Sequence, residues 1–134
     1  MKKVFFLGLN YEQLDYLEVF KNLGYYIIGI DKNNKSPGAK LVDVYFQISY
    51  TDIKALLETV DEVRLSSNDQ VFTSSSHLSY YSASRIAEKK GINFPKPKMV
   101  DICLDKSKLY PFFEQHNIPA PRTKLISDLK SLNL

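Results

Sequence analysis

The sequence predicts an α/β protein with an open parallel sheet of four or five strands and helices on both faces. Two observations carry this prediction. The apolar runs at residues 4–7 and 26–30 are continuous rather than alternating, as expected for strands that are buried on both faces. Helix-forming segments separate the successive strands, and this order is typical of parallel sheets with right-handed crossovers.

The first helix is predicted to follow the first strand closely. Gly8 closes the strand, and Asn10 begins the helix, with Gln13 three residues later as in a capping box. Gly24 ends the helix, because glycine adopts the left-handed conformation of a C-cap at little cost. The i, i+3, i+4 and i+7 spacing predicts one apolar stripe on this helix, formed by Tyr16, Val19, Phe20 and Leu23.

The same alternation continues to about residue 100. A loop rich in Asn, Ser, Pro and Gly covers residues 32–38. The further predicted elements are a strand at 44–48, a helix that begins near Ser49 or Thr51 and includes Val60, a strand at 71–73, a helix at 78–90 closed by Gly91, and a short fifth strand at 92–94.

The pattern changes after Pro97. Two helices are predicted, one at about 99–104 and one that includes residues 109–116. Because proline lacks a backbone N–H, Pro111 predicts that the second helix begins late, near Lys108. The segment 117–121 ends it, and a strand at 122–126 and a helix from Ser127 are expected to follow.

Composition narrows the class of protein. The chain has 134 residues, of which 44% are hydrophobic and 25% charged, and this balance excludes a disordered chain. The net charge of +3 is too small to indicate nucleic acid. The single cysteine excludes a disulfide framework and multi-cysteine metal sites, and suits a reducing compartment. We expect a cytoplasmic protein that acts on neither nucleic acid nor a membrane.

Several polar residues are predicted to meet at one edge of the sheet, since ligands of open parallel sheets bind beyond the carboxyl ends of the strands. The candidate substrate-binding residues are Gly8, Asn10, Asp31, Ser74, Ser75 and Ser76. Each also has a plainer interpretation as a turn or capping residue, and the glycine fingerprint of dinucleotide-binding proteins is incomplete. No pattern of catalytic or metal-ligating residues stands out, so none is assigned in this chain.

One stretch resembles a known family. The sequences LDKSKL at 104–109 and FFEQHNIPAP at 112–121 resemble the segment that opens the ATP-grasp domain of ATP-grasp ligases, where an Asp-Lys pair begins a helix that leads to an Ile-Pro turn. Upstream, VFFLG at 4–8, LGY at 23–25, IGID at 28–31 and SPGAKLVD at 36–43 resemble the Rossmann-like preATP-grasp domain, particularly of carbamoyl-phosphate-synthase-like and biotin-carboxylase-like members.

The resemblance implies that the chain contains parts of two domains with different roles. Residues 1–100 correspond to the preATP-grasp domain, and residues 101–134 to linker helices and the start of a truncated ATP-grasp domain. Lys106 matches the lysine that contacts the nucleotide phosphates in relatives, which use ATP and Mg²⁺ to activate a small-molecule carboxylate as an acyl phosphate for attack by an amine or a related nucleophile. The chain ends before the family's lid and magnesium ligands, so we expect it to need the missing C-terminal ATP-grasp portion, and to be inactive and bind no cofactor tightly alone.

Two alternatives remain open from the sequence. The chain is also compatible with a stand-alone nucleotide- or dinucleotide-binding module. It is compatible, too, with a structural dimerisation domain, because 13% of its residues are aromatic and could form an apolar interface in a homodimer.

Overall fold

A computed structural model of the chain describes residues 1–124 and 126. The chain divides into two compact units, residues 1–100 and a second that begins at Asp101. The elements are β1 (Lys3–Leu7), α1 (Leu14–Asn22), β2 (Tyr26–Ile30), β3 (Val44–Phe46), α2 (Ile53–Glu62), β4 (Gln70–Thr73), α3 (His77–Lys90), α4 (Pro97–Leu104) and α5 (Lys106–Gln115). None of these helices is long and apolar enough to cross a lipid bilayer.

The four strands form one parallel sheet in the order β3-β2-β1-β4. β1 lies in the middle, with Phe5 opposite Ile28 of β2 and Val71 of β4. The chain winds outward from β1 to β3 and then returns to the other side of β1, so the strand order reverses between β1 and β4. The predicted α/β parallel sheet is therefore confirmed, and its reversal point lies between the loops that follow β1 and β4.

Side chains of β1 alternate between two apolar layers. Phe5 and Leu7 lie in one cluster with α2 and α3, whereas Val4 and Phe6 lie in the other with α1. All four side chains are fully buried, and complete burial of an aliphatic or aromatic side chain stabilises a fold by about 1.5–3 kcal/mol. The continuous apolar run of β1 thus reflects a strand that is covered on both faces.

The predicted apolar stripe of the first helix does not supply its main contact with the sheet. A 3-10 turn at Tyr11–Gln13 precedes α1, and the buried face of the segment carries Gln13 and Leu17. Of the predicted stripe only Phe20 packs in the core, while Tyr16, Val19 and Leu23 are 45%, 54% and 67% exposed. Two apolar stripes share Phe20 on this helix, and periodicity alone does not tell which one faces the sheet.

The fifth strand predicted at 92–94 does not form. Gly91 adopts φ +68°, and the N–H of Ile92 donates to the carbonyl oxygen of Ala87 at 2.9 Å. The backbone therefore completes the C-cap of α3 instead of pairing with a strand, although the Ile92 side chain is still buried. β3 also ends two residues early, because the N–H of Ile48 turns back to the carbonyl oxygen of Phe46 at 3.0 Å.

The second unit contains α5, which begins earlier than predicted. The Asp105 carboxylate accepts hydrogen bonds from the N–H of Ser107 at 2.9 Å and from its hydroxyl at 2.6 Å, so the helix starts at Lys106. Pro111 lies inside it, where it removes only the donor to the carbonyl of Ser107. No α5 side chain is buried. Residues 122–124 form no strand, and the helix expected from Ser127 lies outside the described residues.

Candidate functional site

Gly8 brings the loops after β1 and β4 into contact. Its φ of +93° is strained for other residues, and its N–H donates to the carbonyl oxygen of Ile30 at 2.8 Å. A Cβ at Gly8 would lie 2.8 Å from Cβ and 2.9 Å from Oγ of Ser75. The Ser75 side chain therefore occupies the space directly above Gly8, at the point where the strand order reverses.

The side chain of Asp31, the candidate carboxylate after β2, is used in hydrogen bonds that stabilise the fold. It is only 5% exposed, and one carboxylate oxygen accepts from the N–H of Leu9 at 2.9 Å while the other accepts from the N–H of Asn33 at 2.8 Å. The hydroxyl of Tyr45 donates to the Asp31 carbonyl oxygen at 2.8 Å. Burial, together with the nearby Asp31 carboxylate, raises the pKa of Tyr45. Asp31 thus anchors the loop after β1 to the end of β2.

Gln13 links the two loops and was not identified as a site residue from the sequence. Its side chain is 1% exposed. Oε1 accepts from the N–H of Asn10 at 3.0 Å, and Nε2 donates to Oγ of Ser74 at 3.5 Å. The capping-box spacing predicted the first bond. The second, a long bond across 61 positions in the chain, had no sequence signal.

The serines after β4 differ in whether their hydroxyl groups cap α3 or are free to bind a ligand. Ser76 is the N-cap of α3: its Oγ accepts from the N–H of Ser79, and its own N–H donates to Oγ of Ser79 at 3.0 Å. Thr73 Oγ1 lies 2.6 Å from Oγ of Ser79, and both residues are buried. Ser75 Oγ, in contrast, has no hydrogen-bond partner within residues 1–124 and 126 and is half-buried.

The carboxyl edge of the sheet offers hydrogen-bond donors to an anion. The structure brings Gly8, Asn10, Ser74, Ser75 and Ser76 to one edge of the sheet, beside the first turn of α3. The unpaired N–H groups of a helix N-terminus favour negatively charged groups. No group of three or more metal-ligating side chains occurs in the part of the chain that the structure describes.

Lys106 belongs to the second unit, where it is the first residue of α5. It lines a cavity of about 210 Å³ with Ser107, Tyr110, Thr123 and Lys124. Hydrogen bonds from Ser107, helped by Lys108, lower the pKa of Asp105.

The neighbouring lysine is held differently from Lys106. Lys108 pairs with Asp101 at 2.7 Å, whereas Lys106 forms no ion pair with any residue that the structure describes. Lys106, Lys124 and Thr123 therefore all line the cavity of about 210 Å³, and Lys106 is not held there by an ion pair with a described residue.

No family model matches this chain, and no curated protein matches it significantly. Similar solved structures include phosphoribosylglycinamide synthetase from Anaerococcus prevotii, with a TM-score of 0.80 and 20% identity over 98% of this chain and 33% of that one. N5-carboxyaminoimidazole ribonucleotide synthetase from Thermotoga maritima gives a TM-score of 0.76 and 23% identity over 98% and 35%. L-amino acid ligase from Bacillus licheniformis gives 0.80 and 15% over 100% and 35%.

These comparisons concern the fold. The chain spans about a third of the length of each of these structures, and the identities are low. The neighbours are ATP-grasp ligases, whose N-terminal domain is Rossmann-like. The chain therefore has the fold of the corresponding third of an ATP-grasp ligase, with a Rossmann-like parallel sheet over residues 1–100.

Proposed function

We propose that residues 1–100 form the substrate-side domain of an ATP-dependent carboxylate–amine ligase, or a related ligase, which works through an acyl phosphate. The observation that carries this proposal is the likeness over nearly the whole chain to solved structures that are named as synthetases and ligases. The activity belongs to the full-length protein, and the 134-residue chain by itself is proposed to be inactive. Residues 101–134 would begin the ATP-grasp domain.

The carboxyl edge of the sheet, at the loops after β1 and β4, is the proposed substrate site. The hydroxyls of Ser74 and Ser75 and the side chain of Asn10 would bind the carboxylate substrate, together with the free N–H groups at the start of α3 that Ser76 caps. Gly8 allows the two loops to approach closely. Asp31 would act indirectly, because it fixes the N–H of Leu9 and thereby the course of the loop after β1.

Lys106 is the proposed contact to the nucleotide phosphates. The cavity at the start of α5 fits this role, because the ammonium groups of Lys106 and Lys124 and the hydroxyl of Thr123 are suitable donors to phosphate oxygens. ATP would supply the phosphoryl group that activates the carboxylate. Magnesium would need ligands beyond those described, since no carboxylate cluster is present among them.

A stand-alone dinucleotide-binding module is less well supported. Such modules place a pyrophosphate against the glycine after β1 and bind a ribose with the acid after β2. In this chain the side chain of Ser75 occupies the space above Gly8. Both carboxylate oxygens of Asp31 already accept backbone hydrogen bonds.

The proposal is tested with a full-length protein that contains this sequence. ATP, Mg²⁺ and a panel of small carboxylates are supplied, and hydroxylamine replaces the amine so that an acyl phosphate is trapped as a hydroxamate. We expect hydroxamate to form with at least one carboxylate. Lys106→Ala should lower the rate on the order of 100-fold, the effect of removing one donor to developing charge.

Lys108→Ala is the matched control, because Lys108 lies two residues away on the same helix and is already paired with Asp101. It should retain most of the activity. Equal activity of Lys106→Ala and the unsubstituted protein would remove Lys106 from the mechanism. Micromolar binding of NADH by the 134-residue chain, measured by calorimetry, would favour the dinucleotide module instead.

A further inference from the structure

Thr73, the last residue of β4, has a buried hydroxyl that contacts three other segments of the chain. The residue is 5% exposed. Its Oγ1 lies 3.2 Å from the carbonyl oxygen of Leu7 and 2.6 Å from Oγ of Ser79, and it accepts from the N–H of Ser75 at 3.3 Å. One side chain therefore contacts the end of β1, the first turn of α3 and the loop between β4 and α3.

The hydroxyls of Thr73 and Ser79 have fewer protons than close contacts. Oγ of Ser79 also lies 2.6 Å from the carbonyl oxygen of Ser76. That contact, the contact between the two hydroxyls and the contact from Thr73 to Leu7 each need a hydroxyl proton, but each hydroxyl supplies only one. Two arrangements of the protons therefore compete. Because an oxygen that donates can still accept, Thr73 accepts from the N–H of Ser75 in both.

Thr73 fixes both sides of the contact between the loops after β1 and β4. On one side it bonds to the carbonyl group of Leu7, directly before Gly8. On the other side it holds the backbone of Ser75, whose Cβ would lie 2.8 Å from a Cβ at Gly8. The Ser75 hydroxyl itself has no hydrogen-bond partner within residues 1–124 and 126. Its position is thus set by groups other than its own Oγ.

We propose that Thr73 is a positioning residue, whose hydroxyl holds Ser75 above Gly8 and thereby sets the affinity for the substrate. Thr73 is too deeply buried to bind the substrate itself, so it acts through Ser75. The effect on substrate affinity rests on the proposed function. The effect on the position of Ser75 does not, and the two are therefore measured separately.

Amide hydrogen exchange, followed by NMR in the 134-residue chain, tests the position of Ser75. Thr73→Val keeps the shape of the side chain and removes the hydroxyl, whereas Thr73→Ser keeps the hydroxyl. We expect the N–H of Ser75 to exchange about 10-fold faster in Thr73→Val, as for the loss of one hydrogen bond. This factor is taken relative to the amides of β1, which report global unfolding. Thr73→Ser should restore the rate to within about threefold.

Ser84→Ala is the matched control for exchange. Ser84 is 1% exposed, and its hydroxyl donates to the carbonyl oxygen of Tyr81 at 2.6 Å within α3. Its removal deletes a buried hydroxyl without touching the loop after β4, so the exchange of Ser75 relative to β1 should not change. Thr73→Cys is the second variant should Thr73→Val not fold, because a thiol is a weak acceptor. It should accelerate the exchange of Ser75 about threefold.

The hydroxamate assay on a longer protein that contains this sequence tests substrate affinity. Thr73→Val should raise KM for the carboxylate about 10-fold and leave kcat within about twofold, and Thr73→Ser should restore KM. A purely structural role would reduce the amount of folded enzyme and hence the apparent kcat, at an unchanged KM.

The outcomes distinguish this inference from the proposed function. If the unsubstituted longer protein forms no hydroxamate with any carboxylate, the proposed function fails, and the exchange of Ser75 alone decides whether Thr73 positions it. Unchanged exchange of Ser75 in the folded Thr73→Val or Thr73→Cys variant would overturn the inference. So would a failure of Thr73→Ser to restore the rate, or an unchanged KM of Thr73→Val in an active enzyme.

Discussion

At both the carboxyl and the amino edge of the sheet, a buried aspartate accepts hydrogen bonds from backbone N–H groups. At the carboxyl edge, Asp31 accepts from the N–H groups of Leu9 and Asn33. At the amino edge, Asp69 accepts from the N–H of Lys3 at 2.8 Å and from the N–H and hydroxyl of Ser66, each at 2.8 Å. Both aspartates are buried, with 5% and 6% exposure. Each ties a neighbouring segment to β1.

Comparing the two edges distinguishes polar groups that only stabilise the fold from polar groups that are free to bind a ligand. Ligands of open parallel sheets bind at the carboxyl edge, so Asp69 at the amino edge is a structural residue. Asp31 has the same burial and the same kind of backbone partners, and its position at the carboxyl edge does not by itself make it a ligand. What distinguishes the carboxyl edge is Ser75, whose hydroxyl has no protein partner among the described residues.

The glycines at the two edges provide the largest expected difference. Gly8 and Gly24 both have positive φ, at +93° and +75°, but a Cβ would meet Ser75 within 2.9 Å at Gly8 and nothing within 4 Å at Gly24. We expect Gly8→Ala to lower the free energy of unfolding by about 3–4 kcal/mol, from backbone strain and a steric clash, and Gly24→Ala by about 1 kcal/mol, from strain alone. Urea denaturation measures both, and equal losses would show that the two loops do not pack as described.

Asp31→Asn should have the next largest effect. Leu9 is fully buried, so its N–H would lose a charged acceptor where water cannot replace it. We expect the free energy of unfolding to fall by about 2–3 kcal/mol. A loss below about 0.5 kcal/mol in urea denaturation would contradict the anchoring role and reopen Asp31 as a ligand-binding residue.

The pH dependence of Asp69 gives a smaller effect at the other edge. Burial alone would raise the pKa of Asp69, but hydrogen bonds from Lys3 and Ser66, together with the charge of Lys3, outweigh it and the pKa is lowered. The stabilisation is therefore complete above the pKa of the unfolded carboxyl, about 3.9, and is lost as the pH falls through the lower pKa of the folded state. We expect Asp69→Asn to be about 1–2 kcal/mol less stable at pH 6, because it loses a charged acceptor. The loss is smaller than for Asp31→Asn, because Lys3 is only half-buried and water can bind its N–H instead.

The difference between the Asp69→Asn variant and the unsubstituted protein should shrink as the pH approaches 3. Thermal or urea unfolding across this range measures it. A difference that stays constant from pH 6 to pH 3 would show that the charge of Asp69 does not contribute.

Two serines complete the comparison with the smallest effects on stability. Ser66 donates its hydroxyl to Asp69 at 2.8 Å, so Ser66→Ala should lower the free energy of unfolding by about 1 kcal/mol. Ser75→Ala should change it by less than about 0.5 kcal/mol, because its hydroxyl has no partner in residues 1–124. In a longer protein that contains this sequence, the proposed substrate site predicts that Ser75→Ala raises KM for the proposed carboxylate substrate and that Ser66→Ala leaves it unchanged. The opposite pattern would place the substrate elsewhere.

The predictions from sequence succeeded where the residues of a single short segment determine its structure. Continuous apolar runs located β1 and β2, and parallel topology implied that the loops after the strands meet at one edge. The Gln13 spacing predicted its bond to the N–H of Asn10. The roles of Asp31 and of Gln13 towards Ser74 could not be predicted, because their partners lie 22 and 61 positions away in the chain.

The sequence by itself determined the fold class, since burial on both faces requires uninterrupted apolar strands and local glycines fix the turns between elements. Only the tertiary structure decided which stripe of α1 faces the sheet and whether residues 92–94 pair as a strand. It also decided whether an aspartate at the sheet edge is available to a ligand. These outcomes depend on which competing contacts form between distant segments, and a local pattern of residue types contains no information about that competition.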